Sequence, residues 1–159
     1  VVAGDPHVTD GVAAFLVSRD VGNFSLRRHP DAFFQANRYL VPGLVAAVER
    51  LTVGEQVVDL YSGVGLFAVS ITAARAGRVT AVERDPAATR DLVFNASSLT
   101  PAISLVRTSV EAYLKRSGSL RGSVVIVDPP RTGLSREVAV RLTRCHPDRI
   151  VYVLSLIHI

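Results

Sequence analysis

The segment from Val57 to Phe67 constrains the fold of this chain more than any other. It reads Val-Val-Asp-Leu-Tyr-Ser-Gly-Val-Gly-Leu-Phe, an apolar run, then two glycines, then a second apolar run. The first run is typical of a buried strand, and the glycines allow a tight turn with a close approach to a ligand. A helix is predicted from Leu66, and its first N–H groups have no partner within the helix. The segment therefore predicts a strand, a ligand-binding loop and a helix, as in an open α/β sheet.

The same alternation of strand and helix continues to the end of the sequence. The patterning predicts strands at 56–61, 78–83, 103–107, 123–127 and 149–154, and helices at 66–76, 86–99, 109–116 and 135–146. Gly77 is expected to close the first helix, Asp85 to cap the second and Ser135 to begin the last. Apolar strands that alternate with helices indicate a mostly parallel sheet covered on both faces, a doubly wound, Rossmann-like α/β fold.

Two further elements are predicted before this unit. Residues 12–28 alternate loosely around a turn and predict a β-hairpin. A helix follows, with a predicted apolar stripe formed by Leu40, Leu44, Val48 and Leu51.

Composition narrows the class of protein. The chain has 159 residues with 48% hydrophobic content, which suits a single domain with a substantial core. No apolar run approaches the ~20 residues that span a bilayer, and the first residues do not form a signal peptide. The single cysteine excludes an internal disulfide and a cysteine-built metal site, and it fits a reducing cytoplasm. We therefore expect a cytoplasmic, monomeric protein without a membrane segment, and the net charge of +4 allows a polyanionic partner.

Polar residues are expected to meet at one edge of the sheet. Right-handed crossovers place all strand carboxyl ends on the same side, which brings together Tyr61, Glu83, Ser109 and Asp128. Gly63 and Gly65 allow the backbone to approach a ligand there, and the Glu83 carboxylate can accept hydrogen bonds from both hydroxyls of a ribose.

Two classes of nucleoside cofactor remain open at this point. A dinucleotide site needs a third small residue after the two glycines, and Ala68 supplies one. Such a site does not require the acidic Asp59, whereas a ligand with an amino group or a sulfonium does benefit from it. The sequence therefore favours S-adenosylmethionine. Downstream, two prolines hold Asp128 rigidly toward the same edge, and Arg131 follows with a planar fork suited to a phosphate or a base oxygen.

These motifs, in this order, resemble the RNA uracil-C5 methyltransferases, which make 5-methyluridine in ribosomal and transfer RNA. The resemblance includes Phe-Phe-Gln-Ala-Asn at 33–37, Asp-Leu-Tyr-Ser-Gly-Val-Gly at 59–65, Glu83, and Asp-Pro-Pro-Arg-Thr-Gly at 128–133. It implies RNA as the partner, with ribosomal RNA expected ahead of transfer RNA, and S-adenosylmethionine as the cofactor. It also implies that the following residues contact the cofactor: Gln35, Tyr61, Glu83, Asp128 and, as a weaker candidate, Ser109. Leu66 stands where many members carry asparagine.

The resemblance also implies a cysteine nucleophile that this sequence does not supply. In that family a thiolate adds to uracil C6, C5 attacks the methyl group, and a base removes the C5 proton. The cysteine is expected in a Ser-Cys-x-Pro turn just after Val153, where this chain has Ser155 instead. Cys145 lies on the apolar face of the last helix with Val138 and Leu142, which indicates a buried structural thiol. We therefore predict no catalytic residue and no methyl transfer.

The resemblance divides the chain into three parts. Residues 1–30 are interpreted as the remnant of a preceding region, 31–153 as a methyltransferase domain that lacks its C-terminal strands, and 154–159 as a non-native tail. An RNA-facing surface is suggested for Arg27, Arg28 and Arg38.

Three other functions remain open. An amino-group methyltransferase acting on adenine or guanine also uses an Asp-Pro-Pro turn, but usually with an aromatic residue where Arg131 stands. A nicotinamide-dependent oxidoreductase and a non-catalytic cofactor-binding module are the other two.

Overall fold

The computed structural model describes residues 7–9, 12–19, 22–28, 39–54, 56–75, 77–99 and 102–154. Two sheets and five helices are formed by these residues. The strands are β1 (His7–Thr9), β2 (Val12–Arg19), β3 (Gly22–Arg28), β4 (Gln56–Leu60), β5 (Arg78–Glu83), β6 (Ile103–Arg107), β7 (Ser123–Val127) and β8 (Arg149–Tyr152). The helices are α1 (Val41–Leu51), α2 (Leu66–Ala74), α3 (Pro86–Asn95), α4 (Val110–Arg116) and α5 (Arg136–Arg144).

The larger sheet is parallel, with the strand order β6-β5-β4-β7-β8. The chain builds outward from β4 in one direction and then returns to build outward from β7 in the other. The point of reversal therefore lies between β4 and β7, where ligands bind at the carboxyl ends of the strands in open α/β sheets. The predicted doubly wound, mostly parallel fold is confirmed.

Both faces of this sheet are covered. Alternate residues along β4 enter different clusters, with Val57 packed beneath α1, α2 and α3 and its neighbour Val58 packed with α4 and α5. All five residues of β7 are buried, as expected for a strand with helices on both sides. Packing on both sides therefore holds β4 and β7 in place and so positions the residues just beyond their ends.

The apolar stripe predicted for the first helix is wrong at both of its ends. Leu40 precedes α1 and Leu51 ends it, and both side chains are mainly exposed. The buried stripe consists of Val41, Val45 and Val48, of which only Val48 was predicted, and Leu44 packs partly buried against the same cluster. The segment carries apolar residues on two adjacent helical faces, so periodicity alone admits either face, and packing against the sheet selects the valines.

Helix ends show two further differences and two agreements. Gly77 does not cap α2, because the helix stops at Ala74 and Arg75 is already extended. The predicted helix 86–99 ends as an α-helix at Asn95, and a separate 3-10 turn follows at Ser97–Leu99. Asp85 and Ser135 are confirmed as caps, since their side chains accept hydrogen bonds from backbone N–H groups of α3 and α5.

The predicted hairpin is confirmed as the antiparallel pair β2–β3, and β1 adds a third strand that the patterning did not reveal. The division of the chain at residue 30 stays a prediction, because residues 29–38 lie outside the described ranges. No helix in the described part of the chain has the length and apolar character that crossing a membrane requires.

Candidate cofactor site

The loop between β4 and α2 contains three residues with positive φ. Tyr61 (φ 61°) directly follows β4, and Gly63 (φ 55°) and Gly65 (φ 95°) complete the turn. A left-handed conformation costs a non-glycine residue about 1–2 kcal/mol, and such outliers concentrate at ligand sites. The backbone at Tyr61 is therefore held in place by its surroundings, which fits the residue's predicted place at the rim.

The two glycines have different roles. A Cβ placed on Gly65 would collide with the Leu92 side chain of α3, so this glycine permits helix packing against the loop. A Cβ placed on Gly63 would meet no atom within 4 Å. Gly63 therefore borders open space at the carboxyl edge of the sheet, which is where a ligand is expected.

The carboxylate of Glu83 connects the end of β5 to this loop. Its Oε2 accepts a hydrogen bond from the Gly63 N–H at 2.9 Å, and its Oε1 accepts from the N–H groups of Arg84 and Asp85, each at 2.7 Å. A carboxylate can accept about four hydrogen bonds, so three of its positions are already used. Two ribose hydroxyls would therefore have to replace at least one of these backbone contacts.

Asp59 lies beneath the loop and is completely buried. Its Oδ2 accepts a hydrogen bond from the Ala68 N–H in α2 at 3.1 Å, while its Oδ1 has no hydrogen-bond partner among the described residues. Burial, followed by the charge of Asp128, raises the pKa of Asp59 to about 8. Ala68, which a dinucleotide site would use as a small packing residue, here anchors this acid.

Two neighbouring carboxyl groups act on Asp59 at this edge. Asp128 follows β7 next to β4, where its backbone N–H lies 3.5 Å from the carbonyl oxygen of Leu60. Its charge, and more weakly that of Glu83, raises the pKa of Asp59. Such a concentration of acidic groups favours a cationic ligand group over an anionic one.

The remaining predicted site residues are placed as follows. The Tyr61 side chain is half-buried beside the apolar cluster that α4 and α5 form on one face of the sheet, called the α4–α5 cluster below, with Leu114, Val138 and Leu142 among its members. This burial raises the pKa of the Tyr61 hydroxyl. The Ser109 hydroxyl accepts a hydrogen bond from the Ala112 N–H at 3.2 Å and so caps α4. Arg131 is exposed beyond the two prolines. Gln35 lies outside the described residues, as do Arg38, Ser155 and His158.

Cys145 is confirmed as a buried thiol. It is packed in the α4–α5 cluster, and its Sγ lies 3.9 Å from the carbonyl oxygen of Leu114. A thiol enclosed by apolar side chains on this face is not presented to the carboxyl edge of the sheet. Its burial fits the structural role predicted for this thiol.

Sequence patterning missed Asn95, a buried polar residue at the end of α3 whose amide contacts both β3 and the loop. The only available signal was an amide side chain on the same helical face as Leu92. Patterning also suggested an RNA-facing role for Arg27. Its Nε lies 3.3 Å from Oδ1 of the buried Asp91, and its guanidinium stacks 4.8 Å from the centre of the Phe94 ring. Because the Arg27 side chain remains 39% exposed, the RNA-facing role stays a prediction.

Comparisons with known proteins agree with this geometry. Residues 43–115 match the TRM5/TYW2 methyltransferase domain. The tRNA (uracil(54)-C(5))-methyltransferase of Pyrococcus furiosus is 38% identical over 126 residues, which cover 79% of this chain and 29% of that protein. The 23S rRNA (uracil(747)-C(5))-methyltransferase of Pyrococcus abyssi is 36% identical, again over 79% of this chain and 29% of the relative.

A solved structure completes the comparison. The tRNA (uracil-54, C5)-methyltransferase of Pyrococcus abyssi, crystallised with S-adenosyl-L-homocysteine, superimposes with a TM-score of 0.71 at 30% identity. The alignment covers 86% of this chain and 34% of that one. This chain is therefore similar over most of its length to part of the RNA uracil-C5 methyltransferases. It spans less than a third of the length of the first two relatives. Members of this family use S-adenosylmethionine as their cofactor.

Proposed function

We propose that this chain forms the S-adenosylmethionine-binding part of an enzyme that methylates C5 of a uridine in RNA. The observation that carries the proposal is the contact between the Glu83 carboxylate and the Gly63 N–H beside open space. This contact joins a ribose-binding acid to a glycine loop at the reversal point of the sheet. The relatives named above act on tRNA and on 23S rRNA, and 23S rRNA is the substrate we would test first.

The residues present fit this cofactor. Gly63 leaves a cradle that a side chain would fill, and Asp59 offers a buried oxygen without a partner among the described residues. Glu83 would hold the ribose, and Asp128 would supply negative potential for the amino group and the sulfonium. Asp59 would add to this potential only as the pH rises through its pKa of about 8. When bound, S-adenosylmethionine supplies an activated methyl group. Gln35 and Tyr61 are proposed as further contacts, with Ser109 a weaker one because its hydroxyl already caps α4.

Arg131 is the proposed contact to RNA. It is exposed, and the preceding prolines fix the backbone that carries it. Its guanidinium can donate two parallel hydrogen bonds to two oxygens of a phosphate, or to a base oxygen and the acceptor atom beside it.

We propose that the 159-residue chain binds the methyl donor without transferring the methyl group. Attack by uracil C5 on the methyl group requires a thiolate that first adds to C6, and Cys145 is enclosed in the core. A serine hydroxyl is ionised far less readily than a thiol, so Ser155 does not replace it. Cytoplasmic location and the monomeric state stay predictions.

Calorimetric titration of the chain with S-adenosylhomocysteine tests donor binding. Glu83→Ala is expected to weaken binding at least about tenfold, because the ribose hydroxyls and the Gly63 N–H lose a charged acceptor. Glu137→Ala is the matched control, since it removes an exposed carboxylate that pairs with Arg141 on α5, away from the site. No binding by the folded wild-type chain, or equal effects of the two variants, would contradict the proposal.

Incubation with radiolabelled S-adenosylmethionine and unmodified 23S rRNA tests the second part. No 5-methyluridine is expected. Its formation would show that the chain is catalytically complete, and methylated adenine or guanine would favour the amino-group methyltransferases instead.

A further inference from the structure

Asn95 forms hydrogen bonds with two segments that are distant in sequence. Its Oδ1 accepts from the backbone N–H of Arg27 at 2.7 Å, and its Nδ2 donates to the carbonyl oxygen of Arg27 at 2.8 Å. The same Nδ2 donates to the carbonyl oxygen of Val64, also at 2.8 Å. Only 8% of the residue is exposed, so these bonds are made away from solvent.

The pair of bonds to Arg27 imitates a strand. β3 is at the edge of the three-stranded sheet, with β2 on its other side. An edge strand presents backbone N–H and C=O groups that require partners. The side-chain amide of Asn95 satisfies one of each at the same residue, as the peptide group of a neighbouring strand would.

The third bond reaches the cofactor loop. Val64 lies between Gly63 and Gly65, the two glycines with positive φ. Glycine has a wide choice of backbone conformations, so the orientation of this peptide group depends on its hydrogen bonds. Its N–H, that of Gly65, donates to the carbonyl oxygen of Ser62 at 2.9 Å, while its carbonyl oxygen is held from outside the loop. Asn95 supplies that contact from below, while Glu83 holds the Gly63 N–H from the side of β5.

A second set of contacts ties α3 to β3 without touching the loop. The Arg27 side chain pairs with Asp91 at 3.3 Å and stacks on Phe94 at 4.8 Å. The interface between α3 and β3 can therefore be weakened in two ways, through Asn95 or through Asp91. Only the first also releases the carbonyl of Val64.

We propose that Asn95 is a positioning residue that fixes the glycine loop for the methyl donor and couples that loop to β3. Binding at the loop would then be sensed at the Arg27 backbone, and a partner that contacts the hairpin sheet would influence donor affinity in return. The affinity part of this inference rests on the proposed function, whereas the ordering of the loop does not.

The test compares Asn95→Ala with Asp91→Asn in the 159-residue chain. The two variants weaken the same interface, and only Asn95→Ala removes the bond to Val64. Titration with S-adenosylhomocysteine, under conditions where both variants are folded, is expected to show a loss of about tenfold for Asn95→Ala and less than about twofold for Asp91→Asn. Equal losses would reduce Asn95 to a merely structural role and overturn the inference.

Amide hydrogen exchange supplies a readout that does not depend on the donor. Peptides that cover residues 61–67 are expected to exchange faster in Asn95→Ala than in Asp91→Asn at matched global stability. If the wild-type chain does not bind the donor, the proposed function fails, and exchange alone then decides the positioning role. If Asn95→Ala does not fold, Asn95→Ser takes its place, since a hydroxyl is too short to reach both segments. Unchanged loop exchange in the folded variant would overturn the inference.

Discussion

The Oδ2 atom of Asp59 accepts a hydrogen bond from the backbone N–H of Ala68 at 3.1 Å, which ties the end of β4 to the first turn of α2 beneath the glycine loop. The other oxygen of the carboxyl group is buried without a hydrogen-bond partner in the described part of the chain. This arrangement favours the protonated acid, because a buried carboxylate next to Asp128 loses hydration and gains repulsion. It leads to two predictions about pH.

Stability should depend on the protonation of Asp59. Its pKa is raised from 3.8 to about 8 in the folded chain, so between these values the folded state holds a proton that the unfolded state has released. The contribution of this group is therefore fully present below the unfolded pKa and is lost as the pH rises through the folded pKa, at no more than about 1.4 kcal/mol per pH unit. Urea unfolding of wild type and Asp59→Asn across this range measures it. The variant is expected to gain stability relative to wild type as the pH rises, and parallel curves would contradict the prediction.

Ionisation of Asp59 should also distinguish the methyl donor from its product. S-adenosylmethionine carries a positive sulfonium, whereas the sulfur of S-adenosylhomocysteine is neutral. Raising the pH through the pKa of about 8 adds negative charge beneath the loop, so the preference for the cationic donor should increase. Titrations with both compounds on either side of this pH measure the ratio of the two Kd values. A ratio that rises equally in Asp59→Asn would assign the effect to another group.

Alanine at the two loop glycines should separate stability from binding. Gly65→Ala combines a positive φ with a collision against Leu92, and we expect it to lower the free energy of unfolding by about 2–4 kcal/mol. Gly63→Ala has the same backbone cost of about 1–2 kcal/mol without the collision, but its methyl group enters the open space where the donor is expected. Chemical unfolding and titration of both variants test this. Although Gly63→Ala should lose less stability than Gly65→Ala, its affinity for the donor should fall further.

The collision at Gly65 has its own check. In the double variant Gly65→Ala with Leu92→Ala, the space released by the leucine should accept the new methyl group. The combined loss of stability is then expected to be smaller than the sum of the single losses by about 1 kcal/mol or more. Additive losses would mean that strain in the backbone, rather than contact with α3, accounts for the effect.

Cys145 should matter for stability and not for ligand binding. Cys145→Ala removes a buried sulfur from the α4–α5 cluster, and a loss of about 1–2 kcal/mol is expected from reduced packing. Donor affinity measured by titration should stay within about twofold of wild type, since the thiol is remote from the carboxyl edge. A thiol in the folded chain that reacts rapidly with a maleimide reagent would contradict its burial.

The order and type of the elements in the parallel sheet could be predicted from the sequence, because their patterns are strongly periodic. Each strand from β4 onward is a short apolar run between turn residues, and α3, α4 and α5 each begin after a side chain that caps them, namely Asp85, Ser109 and Ser135. The glycine loop and the acids that follow the strands were likewise visible, since parallel topology sends strand ends to one edge. Which face of α1 is buried was not predictable, because apolar residues lie on both candidate faces.

By itself, the sequence determined a doubly wound sheet with Gly63, Glu83 and Asp128 at its carboxyl edge, because apolar runs and turn residues act over short distances along the chain. Only the tertiary structure decided that Asp59 holds a proton, that Gly65 makes room for Leu92, and that Asn95 joins the loop to β3. These three properties depend on atoms from segments that are far apart in sequence. A pKa, a steric limit or a hydrogen bond of this kind arises only once folding has excluded water and brought those atoms into contact.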